Sequence, residues 1–340
     1  MPRPSRGAGL TPNTIFMQYK HTPVMLKEVL EVLNPGKGDY FLDCTLGGAG
    51  YTLALAKEVE KKGKVLSLDL DELALKNAEE KIKKEKLNNI ILARENFKNL
   101  DKAIKEKLGE KTKFQGIVMD LGLSSAQLED EKRGFSYQGK GDLDMSFDSR
   151  GDKGEKSAKY ILNNYKQADL RRIFRKYGEE PLAGRISRAV TEGRVQKKIE
   201  NTSDLSRLVE KAIPKKEAPK AHKIKARIFQ ALRIVVNEEL ENLESALEKS
   251  LKFLEPQGVL AIVSYHSLED RIVKQFFQTE SRDCLCPPEI PECRCGHKAK
   301  LKIKKFSRGK GSKKFLNPDE EEIKKNSRAR SARLRVALKI

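Results

Sequence analysis

Residues 40–51 read YFLDCTLGGAGY, and residues 65–69 read VLSLD. In the first stretch an apolar run ends at Asp43, glycines follow, and a helix-like segment begins after them. A strand, a glycine turn and a helix let the backbone approach a ligand and direct a helix N-terminus at it. The second stretch ends at Asp69, about 20 residues beyond the glycines, where nucleotide-binding α/β units carry a ribose-binding carboxylate. We therefore predict such a unit; a tight strand-to-helix turn without a ligand is the alternative.

Further apolar runs continue this pattern along the chain. Residues 88–93 and 114–121 are typical of a third and a fourth strand, and Asp120 lies at the end of the fourth. Residues 258–264, GVLAIVS, predict a late buried strand of the same sheet. The carboxyl ends of strands in an open α/β sheet line the ligand crevice. We therefore expect the carboxylates that end strands one, two and four (Asp43, Asp69 and Asp120) to meet at one crevice.

The remaining segments differ in composition from the strand-rich part. Apolar residues at helical spacing predict a helix at 26–33, and a long polar stretch at 122–150 predicts a functional loop. The other segments are a basic helical region at 157–213, a basic linker at 214–225, one or two helices at 226–254, and a basic, irregular end at 284–340 that finishes in an edge strand. We predict a flexible tail at 1–20, a discontinuous sheet domain at 21–130 and 222–340, and an inserted substrate loop and helical RNA-binding subdomain at 131–221. A solvated helical cap without a ligand is the alternative for the helical part.

Charge and apolar patterning limit the class of protein. The chain has 69 Lys and Arg against 49 Asp and Glu, a formal net charge of +20. This excess favours a polyanionic partner such as nucleic acid, with general solubility as the alternative. No apolar run approaches the ~20 residues that span a bilayer, and the N-terminal stretch has no apolar core for a secretory signal. Five cysteines do not suggest a disulfide framework in a chain of 340 residues. We expect a cytoplasmic protein with no membrane partner.

Seven motifs occur in a fixed order along the chain: HTPVM, DCTLGGAG, DLGLSSAQL, RGFSY with GDLDMSFD, YGEE, FQALRIVVNEEL and SYHSLEDRIVK. Together they closely resemble the small-subunit ribosomal RNA cytosine-N4 methyltransferases, the RsmH or MraW family, over roughly residues 21–340. The resemblance implies an S-adenosyl-L-methionine-dependent methyltransferase of the α/β class, with a Rossmann-like sheet and an inserted all-helical subdomain. It implies methylation of the exocyclic N4 of a cytidine in the decoding region of 16S rRNA in the small ribosomal subunit. It leaves open whether free rRNA or an assembled subunit is the substrate, and whether the protein is a monomer or a homodimer.

The resemblance also implies roles for particular positions. The cofactor loop would consist of Gly48, Ala49, Gly50 and Tyr51. Asp69 would bind the ribose hydroxyls of the cofactor, and Phe97 would lie against its adenine. Asp120 and Gln127 would border its methyl end. Some positions depart from the family pattern. Tyr51 stands where histidine is usual, Ala126 where proline is usual and Tyr265 where phenylalanine is usual, and KIKAR at 223–227 replaces HPATR. We expect these departures to affect how the substrate is recognised more than which type of reaction is catalysed.

The chemistry of methylating an amine singles out a few side chains. The N4 amine of cytosine is a poor nucleophile because its lone pair is delocalised into the ring. Oxygen acceptors for its N–H groups oppose that delocalisation and stabilise the positive charge that grows during attack. Asp120 is our first candidate for this role, with Ser124 and Ser125 in support; the alternative is a pure cofactor ligand and two turn-forming serines. His266 could take the departing proton, since its ordinary pKa is ~6.5, bind phosphate, or order a loop by hydrogen bonding.

Other side chains suggest contacts with RNA. Phe135 and Tyr137 could stack on a splayed base, as recognition of single-stranded RNA often requires, or they could anchor the loop to the core. Asp142 and Asp144 could approach the base, or bond the backbone of their own loop. The C-terminal arginines (Arg328, Arg330, Arg333 and Arg335) and the Lys-rich stretch 298–314 could contact phosphates, with a solvated tail as the alternative.

The cysteines pose a separate question. Cys284, Cys286, Cys293 and Cys295, with His297, have enough ligands for zinc. However, C-x-C spacing is less usual than C-x-x-C in zinc sites, so we expect a reduced surface loop and no metal.

Three other functions compete with rRNA methylation. A nicotinamide-dependent oxidoreductase fits the glycine loop and Asp69, but no hydride-transfer residues follow. A non-catalytic ribosome assembly factor would not need the three strand-end carboxylates. A DNA cytosine-N4 methyltransferase uses the same chemistry, and only the family resemblance argues against it.

Overall fold

The computed structural model describes residues 23–148, 157–289, 292–308 and 311–340. The predicted tail 1–20 lies outside these ranges, as does His21 of the HTPVM motif. The strands are β1 (Tyr40–Asp43), β2 (Lys64–Asp69), β3 (Ile90–Arg94), β4 (Phe114–Asp120), β5 (Leu254–Ser264), β6 (Leu301–Ile303), β7 (Phe306–Arg308), β8 (Gly311–Lys313) and β9 (Arg333–Lys339). The helices are α1 (Leu26–Leu33), α2 (Gly50–Val59), α3 (Glu72–Glu85), α4 (Leu100–Lys107), α5 (Ser125–Glu129), α6 (Ala158–Asn164), α7 (Gln167–Lys176), α8 (Ala183–Gln196), α9 (Thr202–Ala212), α10 (Ala221–Asn237), α11 (Glu239–Phe253), α12 (Ser267–Glu280) and α13 (Glu320–Lys325).

A seven-stranded sheet with the order β3-β2-β1-β4-β5-β9-β6 organises the fold. The strands β1 to β5 all run parallel to one another. Strand β9 runs antiparallel to β5, and β6 runs antiparallel to β9. The prediction of an α/β protein with a Rossmann-like sheet is confirmed. Because the parallel strands point the same way, their carboxyl ends lie at one edge of the sheet.

Helices cover both faces of the central strands, and the strand sequences are apolar for that reason. Successive side chains of a strand point to opposite faces. Thus Phe41 packs in a cluster with residues of α1 and α2. Its neighbour Leu42 packs in a cluster with residues of α4, α11 and α12. Phe41 and Leu42 are both fully buried. The apolar run of β1 therefore joins the two halves of the core.

The C-terminal strand does not lie at an edge, so that prediction is wrong. Strand β9 pairs with β5 on one side and with β6 on the other. Its arginines serve packing as well: Arg335 is buried and donates to both carboxylate oxygens of Asp270 in α12, at 2.7 and 3.0 Å. Arg333 donates to the same carboxylate at 2.9 Å. Arg335 is therefore held in a buried ion pair that fixes α12 to the sheet, which contradicts its predicted phosphate contact. Arg333 shares this ion pair but stays partly exposed, so its phosphate contact remains a prediction.

A second hydrophobic cluster lies among the helices α6 to α10. It contains Leu170, Ile186 and Leu205, and also Ile228 and Leu232 of α10. The predicted linker at 214–225 is wrong in part, because a 3-10 helix occupies Lys215–Lys220 and α10 begins at Ala221. The boundaries 21–130, 131–221 and 222–340 stay a prediction. Since α10 packs into the second cluster, we propose that the helical unit continues through α10.

Of the helices in the described ranges, none combines the length and the apolar character that crossing a bilayer would need.

Candidate active site

A cavity lies at the carboxyl edge of the sheet. It is lined by the segments that follow β1, β2, β3, β4 and β5. Asp69 and Asp120 line it as predicted. Asp43 does not, and the prediction that it meets them in the crevice is wrong. Its side chain is fully buried beneath the glycine loop. There it accepts a hydrogen bond from the Thr52 hydroxyl at 2.7 Å and from the Thr45 amide at 3.0 Å.

The glycine loop folds into a tight turn before α2. Gly47 and Ala49 have φ of 47° and 65°, in the left-handed region that glycine adopts most readily. Gly50 is required for a different reason, because a Cβ there would lie 2.4 Å from Cγ of Pro23. Gly48, Gly50 and Tyr51 line the cavity, whereas Ala49 is fully buried behind it. The Tyr51 hydroxyl donates to the Val24 carbonyl, so this side chain holds the HTPVM segment against the loop.

Asp69 joins the glycine loop to the end of β2. It accepts from the Gly47 amide at 2.9 Å and from the Asp71 amide at 2.9 Å. Burial raises the pKa of Asp69 to about 6. A carboxylate that fixes the loop backbone and also lines the cavity can accept further hydrogen bonds from a ligand, since each oxygen has two lone pairs.

Asp120 lies at the end of β4 and receives a hydrogen bond from the Tyr265 hydroxyl at 2.7 Å. Burial raises the pKa of Asp120 to about 7, and the Tyr265 bond acts in the opposite direction. The Asp120 amide donates to Thr45 Oγ1 at 2.7 Å, which ties β4 to the glycine loop. The site therefore contains a carboxylate that titrates near neutral pH and faces the same cavity as Asp69.

The serines after β4 form the start of α5. Ser124 Oγ accepts from the Gln127 amide at 3.2 Å, and Gln127 Oε1 accepts from the Ser124 amide at 3.0 Å. This reciprocal pair is a capping box. Both residues also line the cavity. Ser125 is the first residue of α5, and its side chain lies outside the described part of the chain.

His266 caps α12 rather than lining the cavity. Its Nδ1 accepts from the Glu269 amide at 3.4 Å, and its Nε2 lies 3.1 Å from Oε1 of Glu269. Glu269 is buried and accepts from the Tyr265 amide at 2.9 Å. Burial alone would raise the pKa of Glu269, but His266 and Arg233 lower it. The geometry thus favours the loop-ordering alternative for His266, because His266 contacts Glu269, whose carboxylate holds the Tyr265 amide.

Aromatic side chains complete the cavity, but not all are the predicted ones. Phe97 is half-buried and lines it as expected, and Phe147 lines it as well. Phe135 is buried in the helical cluster, 5.7 Å from Phe147 between ring centroids. Tyr137 packs edge-on against Phe229 at 6.1 Å. Phe135 and Tyr137 therefore anchor the loop, as the second of our two alternatives stated, and neither they nor Asp142 and Asp144 line the cavity.

Sequence reasoning missed several side chains of the site, including the following three. Glu239, Tyr265 and Phe147 line the cavity. Glu239 is buried and is held by Arg233, whose Nε and Nη2 donate to it at 2.7 and 2.8 Å. All three lie within the motifs that carry the family resemblance, so motif membership was the available signal.

The lining suits a cationic ligand with an aromatic part. Its acidic members are Asp69, Glu95, Asp120, Glu239 and Glu269. Carboxylates around a water-poor cavity favour a positive charge within it. Phe97 offers an aromatic face, and the Asp69–Gly47 turn offers a ribose site. The residues present therefore fit S-adenosylmethionine, a sulfonium cation attached to adenosine.

A profile of the MraW methylase family matches residues 18–340. The chain belongs to the MraW methylase family. Three relatives share the name ribosomal RNA small subunit methyltransferase H. That of Finegoldia magna is 43% identical over 326 residues, which cover 95% of this chain and 100% of the relative. That of Heliobacterium mobile is 42% identical, with 95% and 100% covered. That of Dehalococcoides mccartyi is 43% identical, with 95% and 87% covered.

Solved structures with a related fold are more distant. A putative rRNA-methylase from Clostridium thermocellum covers 94% of this chain at 12% identity, with a TM-score of 0.43, a likeness too weak to bear on function.

The family, by contrast, bears directly on the reaction. The predicted resemblance is confirmed, and with it the prediction of an S-adenosylmethionine-dependent methyltransferase. The roles of individual residues of this MraW methylase stay predictions.

Proposed function

We propose that the protein methylates the exocyclic N4 of a cytidine in the decoding region of 16S rRNA. The observation that carries this proposal is the Tyr265–Asp120 pair, an acidic acceptor held in the same cavity as the Asp69–glycine turn. The names of the relatives support the class of substrate. A DNA cytosine-N4 methyltransferase and a non-catalytic assembly factor are not favoured.

The glycine loop and the strand ends around it would hold the cofactor. Gly48, Gly50 and Tyr51 line the cavity where it would bind, and Ala49 shapes the turn from behind. Asp69 would accept from the ribose hydroxyls, and Phe97 would pack on the adenine. Gln127 would border the methyl end, and its capping box with Ser124 fixes it beside the cavity. When bound, S-adenosylmethionine supplies an electrophilic methyl carbon on a sulfonium cation.

Asp120 prepares the amine for attack. Its carboxylate accepts a hydrogen bond from the N4 amino group, which opposes delocalisation of the nitrogen lone pair and stabilises the charge that develops on it. Ser124, and Ser125 by its position in the sequence, are supporting acceptors. Most of the rate enhancement comes from holding the amine in line with the methyl group; effective molarities of ~10⁵–10⁸ M are reached by ideal geometry.

The proton that the amine loses goes to Asp120. A group whose pKa is about 7 is suited to accept a proton near neutral pH and release it to solvent afterwards. His266 was our sequence candidate for this step. Since its ring nitrogens face the backbone and side chain of Glu269, we propose that His266 positions the Tyr265 backbone instead.

The helical unit provides the surface for RNA. Exposed cations lie along α7, α8 and α10, among them Arg172, Arg175, Arg188, Lys223 and Arg227. The unit contacts α12 through Glu179, which accepts from the Arg271 guanidinium at 2.8 Å and from the Ser267 hydroxyl. The basic side chains of the helical unit would pair with phosphates while a splayed cytidine enters the cavity. With a ribosomal substrate, the reaction takes place in the cytoplasm.

The direct test is methyl transfer to small ribosomal subunits purified from cells that lack this gene. The rRNA is digested to nucleosides and analysed by mass spectrometry. N4-methylcytidine should appear only with active protein. Naked 16S rRNA, assembled subunits and DNA are compared in parallel, and size-exclusion chromatography of the enzyme with each decides between a monomer and a homodimer. Methylation of DNA alone, or of neither RNA nor DNA despite cofactor binding, would contradict the proposal.

Two variants make the test specific. Asp120→Asn keeps the shape of the side chain but removes the anionic acceptor, so turnover should fall about 10²-fold or more with RNA binding unchanged. Asp101→Asn is the matched control, because Asp101 is a helix carboxylate that pairs with Lys249 at 2.7 Å, away from the cavity. Equal loss of RNA binding and turnover in Asp120→Asn would contradict the catalytic role.

A further inference from the structure

Four cysteines converge on the loop between α12 and β6. They form two C-x-C pairs, Cys284 with Cys286 and Cys293 with Cys295. All four Sγ atoms lie within 4.8 Å of one another, although three of the four residues are exposed. Apolar burial, which gathers thiols in protein cores, does not explain this arrangement at the surface.

Two of the six distances between the sulfurs equal those of tetrahedral coordination, and the others are below 4.8 Å. Sγ of Cys293 lies 3.7 Å from Sγ of Cys295, which in turn lies 3.8 Å from Sγ of Cys284. Four thiolates placed about 2.3 Å from a zinc ion at tetrahedral angles are about 3.8 Å apart. A disulfide needs about 2.05 Å, and all four cysteines are free. The sulfurs are therefore spaced as ligands of one ion and not as partners in a disulfide.

Backbone amides point at the same sulfurs. The Leu285 amide donates to Cys295 Sγ, the Cys286 amide to Cys284 Sγ and the Arg294 amide to Cys286 Sγ, each at 3.3 Å. Such donors orient thiolates and stabilise their negative charge, which is the usual arrangement around a ligating group. Each C-x-C turn thus supplies two sulfurs and amide donors to the same centre.

We propose that Cys284, Cys286, Cys293 and Cys295 bind one zinc ion in a closed structural site. Thiolate ligands in a tetrahedral set of four are typical of structural zinc. His297, the fifth candidate from the sequence, does not belong to the group of four converging sulfurs, and its Nε2 lies 3.1 Å from the Thr279 carbonyl at the end of α12. This proposal replaces our sequence expectation of a metal-free loop.

The loop itself gives a reason for the ion. Between α12, which ends at Glu280, and β6, which begins at Leu301, the described residues contain no helix or strand. The base of the loop is closed by the Lys300 amide, which donates to the Glu280 carbonyl at 2.8 Å. A loop this long without regular structure has few contacts to order it. Zinc would cross-link its two halves and hold the strand β6 at the edge of the sheet.

The test measures metal in the purified full-length protein, prepared with a reductant and without chelators. Mass spectrometry of metals should find about one zinc per chain, and a Cys284→Ser/Cys295→Ser variant should lose it. His297→Ala is the control and should keep it. Replacement of zinc by Co²⁺ should give the sulfur-to-metal charge-transfer and strong visible bands of a tetrahedral thiolate site.

A measurement on the unchanged protein guards against a variant that fails to fold. Titration with a mercurial reagent should release zinc in step with the reaction of four thiols. Wild-type protein without zinc and without the cobalt bands would overturn the proposal, as would zinc retained in the double-serine variant. Iron in place of zinc would overturn the assignment of the ion. None of these readouts depends on methyl transfer.

Discussion

Replacing Tyr265 by phenylalanine, the usual residue of the family at this position, removes one hydroxyl from the site. That hydroxyl donates to Asp120 at 2.7 Å, and burial already raises the pKa of Asp120 to about 7. A donor stabilises the charged carboxylate, so its loss raises the pKa of Asp120 further. A hydrogen bond to a charged group contributes about 1.5–3 kcal/mol, and about 1.4 kcal/mol corresponds to one pH unit. The acidic limb of the pH–rate profile should therefore move up by about one to two pH units.

The assay is kcat/KM for S-adenosylmethionine from about pH 6 to about pH 9, since kcat/KM reports ionisations of the enzyme before the cofactor binds. At about pH 7 Tyr265→Phe should be roughly tenfold slower than the wild type, and the two should approach each other at about pH 9. Tyr51→Phe is the matched control. Its hydroxyl donates to the Val24 carbonyl and not to Asp120, so its acidic limb should keep the wild-type position.

A uniform loss of rate at every pH in Tyr265→Phe would refute the reasoning, because the hydroxyl would then act by some route other than the ionisation of Asp120. An acidic limb that stays in place, or moves to lower pH, would refute it as well.

Three further predictions concern the cofactor loop and the sheet. Asp69→Asn should weaken S-adenosylmethionine binding about 10- to 100-fold by calorimetry, because the glycine loop and the ribose lose a charged acceptor. Asp270→Asn should lower the free energy of unfolding in urea by about 3–5 kcal/mol, because Arg335 is left buried without its carboxylate. Burial alone would raise the pKa of Asp270, but pairing with Arg335 lowers it. The stabilisation by this ion pair should therefore be present above about pH 4 and be lost as the pH falls further. Gly50→Ala should cost about 1–3 kcal/mol in the same experiment, because its Cβ would meet Pro23.

Matched variants separate these effects from general damage. Asp101→Asn should leave both cofactor affinity and stability close to the wild type. Gly184→Ala adds a Cβ within a helix, where the nearest atom lies 3.8 Å away, and should be neutral or slightly stabilising. If Asp69→Asn bound the cofactor as tightly as Asp101→Asn does, the role of Asp69 in cofactor binding would be contradicted. If Gly50→Ala were as stable as Gly184→Ala, the argument from the contact with Pro23 would be contradicted. So would an Asp270 variant as stable as the wild type.

Local patterns were enough to predict the sheet domain and its cofactor edge. The apolar runs of β1, β2 and β4 each end in a carboxylate, and the glycines follow β1 directly. These signals are readable because strand period, turn chemistry and helix caps involve residues close in sequence. The family motifs then located further residues around the cavity, including Asp120 and Gln127, without their contacts.

The contacts themselves were decided only by the tertiary structure. Tyr265 and Asp120 are 145 positions apart, and nothing in either motif states that one donates to the other. Composition marked Arg335 as a surface cation, yet the pairing of β9 between β5 and β6 buries it against Asp270. Spacing made Cys284–Cys295 an unusual metal motif, yet the folded loop brings the four sulfurs together. Sequence determines which groups are present and how each short segment folds, whereas the distance between remote groups depends on how the whole chain packs.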